Sequence, residues 1–313
     1  MRLEDYQFEI PEQIVDDKDF DVEKWRLENP VDYLKAIHLI IGSPIKEIAF
    51  KEIFKVLKLY VPDTLYKYYS LTDDTCLNEK KLDTLLQGKI YASEAEYLND
   101  PFDNKAYFYN PRELMKYKRL KKHKGRLTDD FSAFSRVSAL TANGVNSMPM
   151  WAHYSNNHDG YCVSYDMRNE GNFWLRSCTF PVQYTNQRID ITSLMKWQIE
   201  DIEEQYKKQT AIGRKEILLN DLSLVFTATL LINLKHISWS YENEFRCTIG
   251  VGENVSSYIP AFPKEIYIGL KCSKKNRERL LDIGKKMKIP VYQMFYDEMS
   301  DDFNLIPKVL QVL

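Results

Sequence analysis

From Leu65 onward the chain runs as short aromatic or β-branched segments, separated at irregular intervals by helical ones. The strand-like segments cover residues 65–70, 89–93, 131–140, 160–167, 177–184, 245–250, 265–270 and 291–296. Helical patterns fit residues 77–88, 110–126, 191–212 and 216–236, a stretch opened by Pro149 and closed by Gly160, and a capped stretch from Ser273 to Lys288. Regular strand–helix alternation is absent, which argues against a doubly wound parallel sheet. The expected fold class is α+β: a mixed, largely antiparallel sheet core with surrounding helices.

Two helices are expected ahead of this region. Asn29 can cap the first and Pro30 suits its first position, with Val31, Leu34, Ile37 and Ile41 at helical spacing. The second runs from Pro44 to Leu59, with Ile48, Ile53, Val56 and Leu57 inward. Composition changes at Pro62-Asp63. Residues 1–62 are therefore expected as an N-terminal helical extension or cap, and 63–313 as the main α+β domain. The apolar stripes of the extension suit self-association as well as docking on that domain. The short helix over 77–88 takes Asn78 as its cap and Gly88 as its stop.

Bulk properties exclude several classes. A net charge of -2 gives no general nucleic-acid footprint, and the basic run from Lys116 to Arg126 reads as a solvated face. The five cysteines show no zinc-knuckle or redox spacing, so a reducing cytoplasm is the expected setting. The acidic start is unlike a signal peptide. The longest apolar run, residues 217–234, is interrupted by Asn220 and Asp221, and reads as a buried helix rather than a membrane span.

The stretch SMPMWAHYSNNHDGY, residues 147–161, gathers two of the five histidines. His153 and His158 lie five apart, so a continuous helix would not present them together and no metal is expected. No GxGxxG, GxxxxGK[ST] or GxSxG occurs. Cys162 alternates with apolar neighbours and reads as an inert core thiol. In WSYENEFRCTIG, residues 239–250, a strand would project Glu242, Glu244 and Arg246 from one face and Phe245, Cys247 and Ile249 from the core face. Asn99-Asp100-Pro101-Phe102 reads as a turn.

Taken together, these boxes carry a resemblance. LYKYYSL, LLQGKIYAS, NDPFD, MWAHYSNNHDGYCVSYD and the K-x3-W-x2-E-x-E-x-R box of Lys235, Trp239, Glu242, Glu244 and Arg246 resemble the bacterial family Domain of Unknown Function 2971, over about residues 63–300. A second resemblance lies in L-Y-K-Y … L-x-x-L-L-x-G-K-I-Y. It is similar to the opening of ADP-ribosyltransferase-like proteins that modify nucleic acid, with Lys67 where those carry His or Arg.

That second resemblance implies an NAD-using enzyme, such as a toxin or phage-defence effector, with NAD as co-substrate and a nucleic acid or protein as acceptor. Glu244 would stabilise the ribose cation that forms as the nicotinamide bond breaks, as in glycoside cleavage. Glu242 would orient or deprotonate an acceptor, and His153 would bind ribose or act as a base. Lys67 or Arg246 would hold the diphosphate, and Tyr68, Trp151 or Tyr154 would stack on a ring. Ser93, Asn99, Asp100, Asp103, His158 and Trp239 complete the expected substrate-binding set. One competing expectation is a metal-dependent nuclease using Asp100, Asp103, Glu242 and Glu244. The other is a non-catalytic binding module in which the boxes are hydrogen-bonded plugs.

Overall fold

The computed structural model describes residues 20–103, 105–126, 135–216, 228–251 and 255–311. The chain divides into two compact units. The first comprises residues 1–60, 94–136 and 182–237, and the second residues 61–93, 137–181 and 238–313. The composition change at Pro62-Asp63 falls beside the boundary between Tyr60 and Val61. The N-terminal helices share their unit with two later segments of the chain.

In chain order the helices are α1 (Val22–Glu28), α2 (Tyr33–Gly42), α3 (Lys46–Lys58), α4 (Thr75–Leu86), α5 (Pro111–Leu114), α6 (Lys118–Lys121), α7 (Met148–Tyr154), α8 (Phe173–Cys178), α9 (Thr192–Ala211) and α10 (Lys274–Met287). The strands are β1 (Thr64–Tyr69), β2 (Lys89–Tyr91), β3 (Ser93–Glu94), β4 (Tyr107–Phe108), β5 (Ser135–Thr141), β6 (Tyr161–Asp166), β7 (Thr179–Pro181), β8 (Gln183–Thr185), β9 (Ile189–Asp190), β10 (Leu234–His236), β11 (Glu244–Gly250), β12 (Tyr258–Pro260), β13 (Glu265–Ile268), β14 (Val291–Tyr296) and β15 (Leu305–Gln311).

The first unit is built from helices and two small parallel pairs, β8 with β10 and β4 with β9. The caps differ from expectation. Asn29 ends α1, its N–H bonded to the Trp25 carbonyl, and Asp32 caps α2 by accepting from the Lys35 N–H. A carboxylate three residues ahead of that N–H outcompetes Asn29-Pro30 as the start signal. Tyr33, Ala36, Ile37 and Ile40 form the buried stripe of α2. On α3, Ile53, Val56 and Leu57 are buried as expected, but Ile48 is 57% exposed because it sits in the first turn. The helix expected over 110–126 is two short helices, and its basic side chains are exposed. Most of the helix expected over 216–236 lies outside the described residues, and its last residues, Leu234–His236, form strand β10 instead. Among the described residues no helix is long and apolar enough to cross a membrane.

The second unit is an α+β body around a sheet of order β15-β14-β13-β6-β1-β5-β11-β7, with β3 added beside β5. The pairs β1–β5, β1–β6, β6–β13, β7–β11 and β14–β15 are antiparallel, and β13–β14 is parallel. Alternation sorts the side chains of β1 and β6. Leu65, Val163, Tyr165, Phe245, Cys247 and Ile249 join one apolar layer with Leu82 and Leu85 of α4 and Leu280 and Ile283 of α10. Tyr68, Cys162 and Tyr267 join the layer on the other face, with Met150 and Trp151 of α7.

Helix α4 starts at Thr75, not near residue 77. Asp74 caps it by accepting from the Leu77 N–H at 2.9 Å, and Asn78 lies inside the helix, tying down the N–H and carbonyl of Thr72. Gly88, at φ +63, follows its end as expected. Helix α7 ends at Tyr154, before Gly160, because Asn156, Asn157 and His158 all take left-handed backbone conformations. Gly160 has another reason to be glycine: a Cβ there would lie 1.9 Å from the Tyr69 carbonyl oxygen.

Candidate functional site

The polar cluster of the second unit is assembled at the entrance to β11. Residues 237–242 form a 3-10 turn, Asn243 takes φ +43, and the strand begins at Glu244. Glu242 is therefore off the strand, which corrects its expected projection beside Glu244. Two side chains of the β5 end brace this turn. Thr141 Oγ1 donates to the Glu242 carbonyl at 2.5 Å, and Asn143 Nδ2 donates to the Tyr241 carbonyl at 2.6 Å.

On β11, Glu244 and Arg246 share one face and Phe245, Cys247 and Ile249 the core face, as the alternation requires. Arg246 Nε donates to Glu244 Oε1 at 2.8 Å and its Nη2 to Oε2 at 3.2 Å. The carboxylate is 5% exposed and the guanidinium residue 0%. Such a fork-on-fork pair fixes both side chains. Glu242, 3% exposed, accepts from the Tyr154 hydroxyl. Burial and then that carboxylate push the Tyr154 phenol well above its ordinary pKa, so it stays a hydrogen-bond donor; the Glu244 charge adds to the effect.

Helix α7 supplies the neighbours. Trp151 is fully buried, donates its indole N–H to the Val145 carbonyl at 2.7 Å and meets the Tyr68 ring edge-on at 5.0 Å. The Tyr68 hydroxyl donates to the Gly144 carbonyl at 2.6 Å. His153 is exposed, and its ring neighbours are Tyr154 and Tyr241. Trp239 continues this surface row against Tyr241. His158 turns the other way and stacks on Trp151 with ring centroids 6.0 Å apart. Its buried Nδ1 has no hydrogen-bond partner among the described residues, and desolvation, then Lys271, lower its pKa. The two histidines thus diverge. Among the described residues no group of three or more His, Cys, Asp or Glu side chains is arranged to hold a metal ion.

Lys67 is on the opposite face of β1 from Tyr66 and Tyr68, in register with Val163 of the large apolar layer. Its ammonium donates to the Ala139 carbonyl at 2.9 Å and lies 5.6 Å from the centre of the Tyr69 ring. Desolvation lowers its pKa to about 8, against the opposing pull of Glu244 and Cys247. Its parity starts the side chain on the face opposite Glu244 and Arg246, and the Glu244 charge still reaches its ammonium. Burial pushes the Cys162 thiol well up, the reverse of an activated cysteine. Ser93 Oγ donates to the Val137 carbonyl at 3.4 Å.

The remaining sequence boxes lie in the first unit. Asn99 is exposed; Asp100 and Asp103 are buried, and the turn they form is closed by the Phe102 N–H donating to Asp100 Oδ1 at 2.9 Å. Lys235 on β10 faces Asp103 across 3.8 Å, both nearly fully buried. The Lys235 end of the K-x3-W-x2-E-x-E-x-R box is therefore a plug of one unit, while its Glu242, Glu244 and Arg246 belong to the other.

The sequence reading missed a second carboxylate centre in the large sheet. Glu265 accepts from the hydroxyls of Tyr267 at 2.6 Å and Ser164 at 3.0 Å, with Tyr292 at 3.5 Å, and Tyr267 and Tyr292 stack at 5.1 Å. The parity of Glu265 with Tyr267 in EIYIGL was the available signal. Also missed was Tyr241, which joins His153 to Trp239.

Residues 150–247 match the model of the family described as Protein of unknown function (DUF2971). The match begins within α7 and covers β6 and the Lys235–Arg246 box, two of the five stretches on which the resemblance over about residues 63–300 was read. No curated protein and no solved structure gives a match.

Proposed function

We propose that the chain is an NAD-using, ADP-ribosyltransferase-like enzyme acting at the Glu242–Glu244 pair. One observation supports this above the rest: two buried carboxylates two residues apart, one holding a phenol and the other a guanidinium. Desolvating such charges costs several kcal/mol per ion in round terms, about what a local functional demand must justify.

In this reading the bond between nicotinamide and ribose C1′ breaks, and its electron pair leaves with nicotinamide. Positive charge gathers on the ribose, and Glu244 stabilises it. An acceptor nucleophile then closes on C1′ after losing its proton to Glu242, whose position Tyr154 fixes. Arg246, buried and closed on Glu244, would have to give up that carboxylate to hold a diphosphate on that face. Tyr68 and Trp151 are more deeply used in packing than a ring-stacking role requires. The acceptor is a nucleic acid or a protein, and a role as a bacterial toxin or phage-defence effector rests on analogy with related enzymes.

A second reading, a non-catalytic binding module, is favoured by one specific feature: the Arg246–Glu244 fork is closed and fully buried, as a structural plug would be. The nuclease reading has less support. Asp103 is committed to Lys235 and Glu244 to Arg246. Incubating the protein with NAD and candidate acceptors separates the first two readings: nicotinamide release that Glu244→Gln abolishes supports the enzyme, and its absence in the folded protein supports the module.

A further inference from the structure

The first unit contains a cleft of about 810 Å³, independent of the proposed function. That volume is in the range of small-molecule sites. Its floor is apolar: Ala36, Leu57 and Val182 are all buried. One wall is aromatic. Trp25 of α1 and Tyr60, just beyond α3, lie with ring centroids 5.2 Å apart and planes tilted by 52°. The Tyr60 ring is held in place, because its hydroxyl donates to the Asn29 carbonyl at 2.5 Å.

The charged groups that line the cleft are Glu28, Asp32 and Lys35; Arg26, whose Nε donates to the Leu59 carbonyl beside Tyr60, is paired with Glu23. The three lining groups leave the cleft with one more negative charge than positive. Asp32 spends one oxygen, Oδ1, on the Lys35 backbone N–H and keeps the other. Among the described residues Glu28 is tied only to exposed Lys24, across 3.9 Å, a weak surface pairing that a ligand cation can replace. The negative charge reaches the ring, since burial and then Asp32 raise the Tyr60 pKa to about 12.

We propose that this cleft binds a small alkylammonium ligand, with the cation against the Trp25 and Tyr60 rings and Glu28 and Asp32 as its counter-charges. Electron-rich ring faces attract a cation at close range, and adjacent carboxylates add to that attraction. An anion would meet two carboxylates against one lysine. A neutral ligand would gain nothing from the charge of the two carboxylates.

The test uses the full chain with choline as the probe and 3,3-dimethylbutan-1-ol, its neutral isostere, as the control. Titration calorimetry should show choline binding at millimolar or lower concentration, with no binding of the isostere in the same range. Trp25→Leu should weaken choline binding about tenfold. Asp32→Asn keeps the helix cap and removes only the charge, and should weaken it several-fold, as should Glu28→Gln. Melting temperatures of the variants establish that they fold. Equal binding of the isostere, binding unchanged in folded Trp25→Leu, or no choline binding at tens of millimolar would each overturn the proposal.

Discussion

Arg246 grips Glu244 along one face of β11, Nε to Oε1 at 2.8 Å and Nη2 to Oε2 at 3.2 Å, with both side chains shut away from solvent. An i,i+2 pair on a strand shares a face by geometry, so the fork needs no other element to align it. Its energetics follow from burial. Removing one partner leaves the other buried charge without its counter-charge in the fork, whereas removing both takes out a positive and a negative charge together. Arg246→Ala should therefore cost about 3–5 kcal/mol of stability. The double change Glu244→Leu, Arg246→Met should recover most of that loss. Chemical denaturation of the three proteins measures this. A double variant as unstable as the single one would mean that the pair's other contacts, not its charge balance, hold the site.

The Tyr154 hydroxyl is the donor that meets Glu242. Tyr154→Phe keeps the ring packing and removes the donor. It should destabilise the fold by about 1–3 kcal/mol, the cost of taking one donor from a buried charged acceptor. Because burial and Glu242 raise the Tyr154 pKa, the phenol should stay protonated when exposed tyrosines ionise. Ultraviolet titration of wild type against Tyr154→Phe checks this. Loss of an ionisation near pH 10 in the variant would contradict the hydrogen bond.

Lys67 gives a pH dependence. Its folded pKa, about 8, is below the unfolded value of 10.5, so between these the unfolded chain holds a proton that the folded chain has released. Stability from this residue is lowest below pH 8 and rises as pH climbs from 8 toward 10.5. Lys67→Met should raise stability at pH 7, by up to roughly 3 kcal/mol less the loss of the bond to Ala139, and should flatten the rise. Denaturant midpoints at pH 7, 8 and 9 for both proteins read this. A midpoint that falls from pH 8 to pH 9 in wild type but not in the variant would reverse the assigned sign.

Gly160 passes so close to the Tyr69 carbonyl that a methyl group has no room. Gly160→Ala should cost about 3 kcal/mol or more, because the obstacle is backbone. Gly144→Ala provides the contrast: its Cβ would meet nothing, so its cost is confined to the positive φ. Thermal melts of both variants check the order, and a milder effect at Gly160 would contradict the packing.

The α+β class and most of the strands were legible because alternation and aromatic content survive in short segments. The helix starts were less so: Asp32 and Asp74 do the capping where Asn29 and Asn78 offered similar chemistry. Glu242 looked like a strand residue because the alternation was carried through Asn243, a residue type that readily takes the left-handed conformation and here starts the strand later. The parity of Lys67 was in the sequence, shared with Leu65 and Tyr69. Apolar side chains on both faces of β1 hid which face was which. Assignment of Lys235 and Asp103 to one unit and of Glu244 and Arg246 to the other is a tertiary fact, since each unit is assembled from three separated segments.

The first measurement is nicotinamide release from NAD by the purified protein and by its Glu244→Gln variant, with DNA, RNA and cell lysate supplied as acceptors and both proteins shown to be folded. The proposed chemistry predicts release by the wild type and its loss, by about a hundredfold or more, in the variant. No release by the folded wild type, together with no thermal shift at millimolar NAD, would contradict it and leave the buried Glu244–Arg246 fork as a structural plug.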